Sequence, residues 1–109
     1  MIDRILVALL TLMLISSASA LTPASGDILI TQKNRQFSIE EITIVAGRSL
    51  LFLNDDDFPH QITVMGPGVA TSSPLQQPGQ VLSIVFPQQG TAQVRCGIHP
   101  RMRLSVGVE

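Results

Sequence analysis

The stretch Cys96-Gly97-Ile98-His99-Pro100-Arg101-Met102 lies between two segments in which apolar and polar side chains alternate strictly. Residues 91–96 alternate threonine, glutamine and arginine with alanine, valine and cysteine. Residues 103–108 alternate arginine, serine and glycine with leucine and two valines. A period of two is the pattern of a β-strand with one buried face, so both segments are predicted strands. Cys96 is predicted to face the core, because a shift of one residue would bury the arginines.

The rest of the chain has the same short alternating segments, separated by turn residues. No window of about 11 residues or more carries the 3.6-residue stripe of an amphipathic helix. Residues 66–79 contain three glycines and three prolines and are predicted to form a loop. Five further strands are predicted at residues 27–32, 41–46, 49–53, 60–65 and 80–86. About seven short strands in one small domain predict an all-β sandwich.

Composition excludes several classes of protein. The chain has 109 residues, of which 14% are charged, and a net charge of −1. This balance gives no reason to expect nucleic acid or an anionic membrane as a partner. The single cysteine excludes an intrachain disulfide and any paired-cysteine metal or redox motif. The length is that of one small domain.

The first twenty residues are predicted to be a secretory signal peptide. A short start that contains Arg4 is followed by the apolar run Ile5–Ile15 and then by small residues that end at Ala20. The run of 11 residues is shorter than the ~20 that a transmembrane helix needs. Cleavage after Ala20 would leave residues 21–109 as the folded domain, exported to the periplasm and without a membrane span.

Four side chains in two parts of the chain have the chemistry of metal ligands. Cys96, His99 and Met102 lie within seven residues, and His60 is the only other histidine. A thiolate, two imidazoles and a thioether are the donors of a one-electron copper site, because a trigonal His₂Cys arrangement with a weak axial methionine suits both Cu(I) and Cu(II). The sequence therefore predicts one copper ion per chain.

These residues give the chain a specific resemblance to the cupredoxins, of the plastocyanin and amicyanin group. The similarity extends over nearly the whole of residues 21–109. In its first half it rests on Phe37, Ile42-Thr43-Ile44-Val45-Ala46-Gly47, Leu51-Phe52-Leu53-Asn54-Asp55 and Pro59-His60. In its second half it rests on Gly90, on residues 96–102 and on Val106-Gly107-Val108. The two-residue gap between His99 and Met102 resembles amicyanin, since plastocyanin-type chains have a longer loop there.

The resemblance implies a fold and a role for each site residue. The implied fold is a cupredoxin-like Greek-key β-sandwich of about seven to eight strands with one type 1 copper ion. His60, Cys96 and His99 correspond to the equatorial ligands, and Met102 corresponds to the axial ligand. Asn54 occupies the place of a family asparagine whose hydrogen bonds tie the two ligand loops together.

The function expected from these features is that of a periplasmic one-electron carrier. An enzyme is not expected, because four protein ligands leave the copper no open position for a substrate. The expected partners are larger redox proteins, with c-type cytochromes and dehydrogenases as candidate classes, and the chain is expected to be a monomer. A protein that binds, buffers or delivers copper is the alternative. A structural zinc site would use the cysteine and histidines but would give Met102 no role.

Three further features have a plain and a functional interpretation. Asp55–Asp57 lack the spacing of a calcium loop and are interpreted as part of a solvated loop. The arginines that flank the ligand loop are interpreted as outward-facing strand residues, with a positive rim for an acidic partner as the alternative; they are Arg95, Arg101 and Arg103. An apolar patch around His99 is a further hypothesis, formed by residues 65–69 with Phe58, Ile98 and Pro100.

Overall fold

The computed structural model describes residues 27–109, so the predicted signal peptide, residues 1–20, lies outside the described residues. The described chain forms nine β-strands and no helix. The strands are β1 (Ile28–Lys33), β2 (Gln36–Phe37), β3 (Glu41–Ile44), β4 (Arg48–Asn54), β5 (Ile62–Gly66), β6 (Val69–Ser72), β7 (Val81–Phe86), β8 (Gly90–Cys96) and β9 (Arg103–Val108). Within residues 27–109, we find no helix with the length and hydrophobicity needed to cross a bilayer.

The strands form a sandwich of two sheets, which confirms the predicted all-β fold. One sheet has the order β2-β1-β4-β7, and the other has the order β3-β9-β8-β5-β6. The chain passes repeatedly from one sheet to the other, and it pairs β1 with β4 and β3 with β9 in parallel. Two short strands, β2 and β6, add to the seven predicted ones. Because β6 lies at Val69–Ser72, the prediction that residues 66–79 form only a loop is wrong for this part.

The core lies between the sheets and follows the predicted alternation. In β8 the alternate residues Ala92, Val94 and Cys96 are buried, while the polar residues between them are exposed. The opposite sheet contributes Leu50 and Phe52, both fully buried. Side chains of both sheets therefore pack on each other across the sandwich, as the period of two requires.

One end of the sandwich collects the segments that carry the predicted ligands. Asn54 ends β4 and lies in register with Gln32, near the end of β1. Ile62 begins β5 and lies in register with Cys96, which ends β8. The turn between β1 and β2, residues 34–35, lies at this same end. This topology brings the loop before β5 and the loop after β8 together, and we refer to this end as the ligand end.

The turn between β5 and β6 lies at the opposite end, so the predicted patch around His99 is wrong in this part. Pro67 of that turn lies against Gly90, where β8 begins. Strand β5 has five residues and, at about 3.3 Å per residue, leads the chain roughly 13 Å away from the ligand end. Residues 65–69 therefore cannot surround His99.

Candidate metal centre

Three of the four predicted ligands converge at the ligand end. One donor atom each from His60, Cys96 and His99 lies within 4.8 Å of the others. The Cys96 sulfur is 3.6 Å from Nδ1 of His60 and 3.7 Å from Nδ1 of His99. With metal–sulfur and metal–nitrogen bonds of about 2.3 and 2.0 Å, donors set 110–120° apart are about 3.5–3.8 Å from each other. The three donors are therefore placed to share one metal ion.

His60 is fixed by its own backbone as well as by its ring. Its N–H donates to the carbonyl oxygen of Gln76 at 3.0 Å, and its carbonyl accepts from the N–H of Gln76 at 2.7 Å. Gln76 is buried, and its side chain donates to the carbonyl oxygens of Phe52 and Gln80 at 2.7 Å each. Gln76 thus anchors His60 to strand β4. Gln76 lies within the segment predicted to be a loop, and no pattern in the sequence marks it as a site residue.

Asp56 forms a hydrogen bond with the second ring nitrogen of His60. Its Oδ2 lies 2.7 Å from Nε2 of His60, and both side chains are buried. The prediction that Asp55–Asp57 form a solvated loop is therefore wrong for Asp56. A carboxylate that accepts from Nε2 places the ring proton there and leaves Nδ1, on the side of Cys96, free to bind a metal. Such a partner fixes both the tautomer and the orientation of a ligand histidine.

The Asp56 carboxylate also joins the loop before His60 to the β1–β2 turn. The backbone N–H of Asn34 donates to its Oδ1 at 2.7 Å, and that of Arg35 donates to its Oδ2 at 3.2 Å. Burial by itself raises the pKa of Asp56, but the hydrogen bonds from His60 and from these two amides outweigh burial and lower the pKa. Asp56 is therefore held as a carboxylate beside the ligand.

Asn54 supports the His60 loop through hydrogen bonds. Its Nδ2 donates to the carbonyl oxygens of Phe58 and Gln76 at 2.9 Å each, and its Oδ1 accepts from the N–H of Asp56 at 2.9 Å. No hydrogen bond joins Asn54 to residues 97–102 in the described part of the chain. Asn54 therefore shapes the loop that carries His60 and Asp56, and the predicted tie to the second ligand loop is not among its contacts.

Cys96 is buried at the end of β8, and its sulfur accepts one backbone hydrogen bond. The N–H of Gln61 donates to Sγ at 3.4 Å. The next residue, Gly97, donates its N–H to the carbonyl oxygen of Gln61 at 2.9 Å. A Cβ at Gly97 would meet the side-chain oxygen of Gln61, so a larger residue here would displace the Gln61 side chain. Gln61, and not Asn54, therefore makes the hydrogen bonds that join the two ligand loops.

His99 and Met102 complete the second ligand loop. The N–H of Met102 donates to the carbonyl oxygen of His99 at 2.9 Å, which closes the turn before β9. Met102 is buried in the core, whereas His99 is half-buried. Burial and then the nearby charges of His60 and Arg35 lower the pKa of His99, against a smaller opposing effect of Asp56. His99 is therefore the site residue that lies nearest to solvent.

Aromatic contacts connect the two histidines to the surface. The Phe58 ring meets the rings of His60 and His99 edge-on, with centroids 5.3 and 5.6 Å apart. The guanidinium of Arg35 lies over the Phe58 ring, 4.9 Å from its centroid. Phe58 belongs to the predicted patch, but Arg35 carried no signal in the sequence because its turn is brought here only by the fold.

Comparisons with known proteins agree with this site and fold. No protein-family model matches the sequence. The chain is 28% identical over 98 residues to amicyanin of Paracoccus denitrificans, covering 86% of this chain and 74% of that protein. A solved reduced amicyanin variant superposes with a TM-score of 0.70 and 27% identity, over 80% of this chain and 86% of the other.

Two further solved structures share the fold at lower identity. A purple cupredoxin from Nitrosopumilus maritimus matches 76% of this chain and 100% of its own, with a TM-score of 0.67 and 24% identity. A copper-containing nitrite reductase from Thermus scotoductus SA-01 matches 88% of this chain but 25% of its own, with a TM-score of 0.74 and 22% identity. The cupredoxin fold predicted from the sequence is confirmed, and the His-Cys-His-Met set has the composition of a type 1 copper site.

Proposed function

We propose that this chain, which has the cupredoxin fold, is a periplasmic type 1 copper protein that carries single electrons between larger redox proteins. His60, Cys96 and His99 would be the strong ligands, and Met102 the weak axial one. The observation that carries the proposal is the position of the Cys96 sulfur, 3.6 and 3.7 Å from the two imidazole nitrogens. When bound there, copper supplies the chemistry of a single electron that is gained and released.

The chain's own residues keep the ligands in one arrangement. His60 is held through its ring by Asp56 at 2.7 Å and through its backbone by Gln76. Cys96 is held by its strand and by the N–H of Gln61. Ligands that cannot move give the oxidised and reduced states nearly the same geometry, so little reorganisation accompanies electron transfer.

The half-buried ring of His99 is the proposed route of the electron. His60, Cys96 and Met102 are buried, while Ile98 and Pro100 beside His99 are exposed. Exposed apolar side chains around a buried redox site suit a short-lived contact with a partner. Such electron-transfer interfaces bury less than about 1,200 Å², which permits rapid dissociation.

Burial of the ligands favours electron transfer over copper delivery, the alternative function. A protein that hands its metal to an acceptor must expose its donors to the incoming ligands. Here His60 is 0% and Cys96 is 2% exposed. Four protein donors also leave no open position for a substrate, which supports a carrier rather than an enzyme.

The visible spectrum of the copper-loaded protein tests the proposal. Thiolate-to-Cu(II) charge transfer should give an intense colour, and ascorbate should bleach it reversibly. The variant Cys96→Ser should lose the colour while its circular dichroism keeps the β signal. A well-folded wild-type protein whose Cu(II) complex is colourless would contradict the type 1 assignment. Release of Cu(I) to a competing chelator within seconds would favour the delivery function.

A further inference from the structure

Arg35 occupies a backbone conformation that an arginine adopts only with strain. It follows Asn34 in the two-residue turn between β1 and β2, and the φ angles of the two residues are 55° and 57°. Hairpin turns with two positive φ angles strongly prefer the pair Asn-Gly, because glycine has no Cβ to collide with the backbone. A strained residue that persists where glycine would be easier indicates a role for its side chain.

The backbone of Arg35 does not account for that role. Its N–H donates to Asp56 at 3.2 Å, but a glycine at this position would donate the same bond. What the arginine adds is a guanidinium stacked 4.9 Å from the Phe58 centroid, and Phe58 in turn contacts the His99 ring. The stacking holds an exposed positive charge beside the ligand through which the electron is proposed to pass.

No acidic side chain lines the depression beside this charge. A depression beside His99 is lined by residues 34–36 and 98–101, with Arg35 and Arg101 as its only charged members. Of the nearby aspartates, Asp55 is paired with Lys33 at 3.8 Å, and Asp57 is exposed on the same loop but does not line the depression. The third, Asp56, is buried, and its carboxylate is hydrogen-bonded to His60 and to the backbone of the β1–β2 turn.

The two cations that line this depression, Arg35 and Arg101, differ in their surroundings. Arg101 lies on the border with a second depression, which also contains Glu40, Glu41 and Arg103. Two carboxylates thus line the second depression together with Arg101 and Arg103, whereas none lines the depression that contains Arg35. The positive rim that the sequence offers as an alternative is formed by Arg95, Arg101 and Arg103. In the structure this rim is centred instead on Arg35, which no sequence pattern indicated.

We propose that Arg35 is a docking residue that selects an acidic redox partner for the His99 surface. The proposal rests on the proposed function, because it names the charge of the partner that exchanges electrons there. A fixed positive charge at the rim of an interface accelerates encounters with a negative surface and rejects a positive one. Because the guanidinium is already ordered on Phe58, less conformational entropy is lost when a carboxylate binds it.

Two small oxidants of opposite charge test the proposal on the copper-loaded, reduced protein. Each electron that leaves the site converts Cu(I) to Cu(II) and reduces either hexacyanoferrate(III), an anion, or tris(phenanthroline)cobalt(III), a cation. Stopped-flow rates at low ionic strength should fall about threefold to tenfold for the anion in Arg35→Gly, and the salt dependence should weaken. The rate with the cation should stay equal or rise.

The choice of variants separates docking from other effects. Arg35→Gly relieves the strained φ angle, so the melting temperature should be unchanged or higher. Arg35→Lys keeps the charge and should keep most of the rate with the anion. Arg48→Gln removes a charge at the start of β4, at the end opposite to the site, and should leave both rates near those of the wild type.

Three further results would each refute either the docking role of Arg35 or the proposed function. A changed reduction potential would move both rates in the same direction, so equal slowing of the two oxidants in Arg35→Gly would refute the docking role. Rates that do not differ from the wild type would refute it as well. If the loaded protein is colourless and exchanges no electrons, the proposed function itself fails, and this outcome is distinct from either of the other two.

Discussion

The buried carboxylate of Asp56 lies 2.7 Å from Nε2 of His60, on the side of the ring away from the Cys96 sulfur. It thereby places a negative charge one imidazole away from the proposed copper ion. A nearby negative charge stabilises Cu(II) more than Cu(I), because the oxidised ion carries the larger positive charge. Asp56 should therefore keep the reduction potential low.

Asp56→Asn should raise the reduction potential, since the amide keeps the shape of the side chain and removes the charge. A differential stabilisation of about 1.4 kcal/mol corresponds to about 59 mV for one electron, and we expect a rise of that order. Voltammetry of the copper-loaded protein measures it. Asp57→Asn is the matched control, because Asp57 is an exposed neighbour on the same loop, and it should shift the potential far less.

Acid should destabilise the metal-free protein through Asp56. Hydrogen bonds lower the pKa of Asp56 in the folded protein below its ordinary value of 3.8. The unfolded chain therefore binds a proton at higher pH than the folded chain. The stability contributed by Asp56 is complete above the ordinary value and is lost as the pH falls through the folded value.

Urea denaturation of the metal-free protein between pH 7 and pH 3 checks this prediction. The wild type should lose stability as the pH falls below about 4, the range in which an unperturbed aspartate titrates. Asp56→Asn should be less stable at pH 7 and should show a flatter pH dependence. Identical slopes for the wild type and Asp56→Asn would count against the carboxylate's role in the fold.

Met102→Gln should change the potential without removing the metal. The axial thioether favours Cu(I), and an amide oxygen in its place favours Cu(II), so the potential should fall. The protein should keep its copper and its colour, because three strong ligands remain. Met65→Gln is the control, since Met65 is 63% exposed at the far end of β5. Loss of copper from a folded Met102→Gln protein would show that Met102 does more than tune the site.

The reduction potential should rise in acid because His99 can exchange copper for a proton. Cu(I) tolerates three ligands, so the reduced protein can release this imidazole, whereas Cu(II) holds it more tightly. Protonation then stabilises only the reduced form. Burial, followed by the charges of His60 and Arg35, lowers the pKa of His99 from 6.5, so the rise should begin below that value.

Voltammetry across the acid range measures the rise, and NMR of the imidazole protons of the reduced protein identifies the residue. His60 should stay bound, because Asp56 occupies its second ring nitrogen. A potential that stays constant wherever the protein remains folded would exclude release of His99.

Much of the ligand set could be predicted because three ligands lie in one short loop. Cys96, His99 and Met102 are separated by so few residues that any hairpin between β8 and β9 brings them close. The strands around them alternate strictly, and the predicted burial of Ala92 and Val94 is confirmed. These features depend on local geometry, which the sequence pattern expresses directly.

In strand β4 the sequence pattern does not identify the buried face. Residues 50–53 are all apolar, so alternation does not decide which side of the strand faces the core. In the structure Leu50 and Phe52 are fully buried, while Leu51 and Leu53 are half-buried on the outer face. Only packing against the second sheet distinguishes the two sets.

The sequence by itself determined seven of the nine described strands, the all-β class and the donor set, because a period of two and a short ligand loop are properties of neighbouring residues. The tertiary structure decided which of three consecutive aspartates is buried and where the arginines lie. Asp56 accepts from amides 22 and 21 positions before it, and Gln32 donates to Gln76 across 44 positions. Such contacts depend on how two sheets close on each other, and no local pattern of side chains encodes that closure.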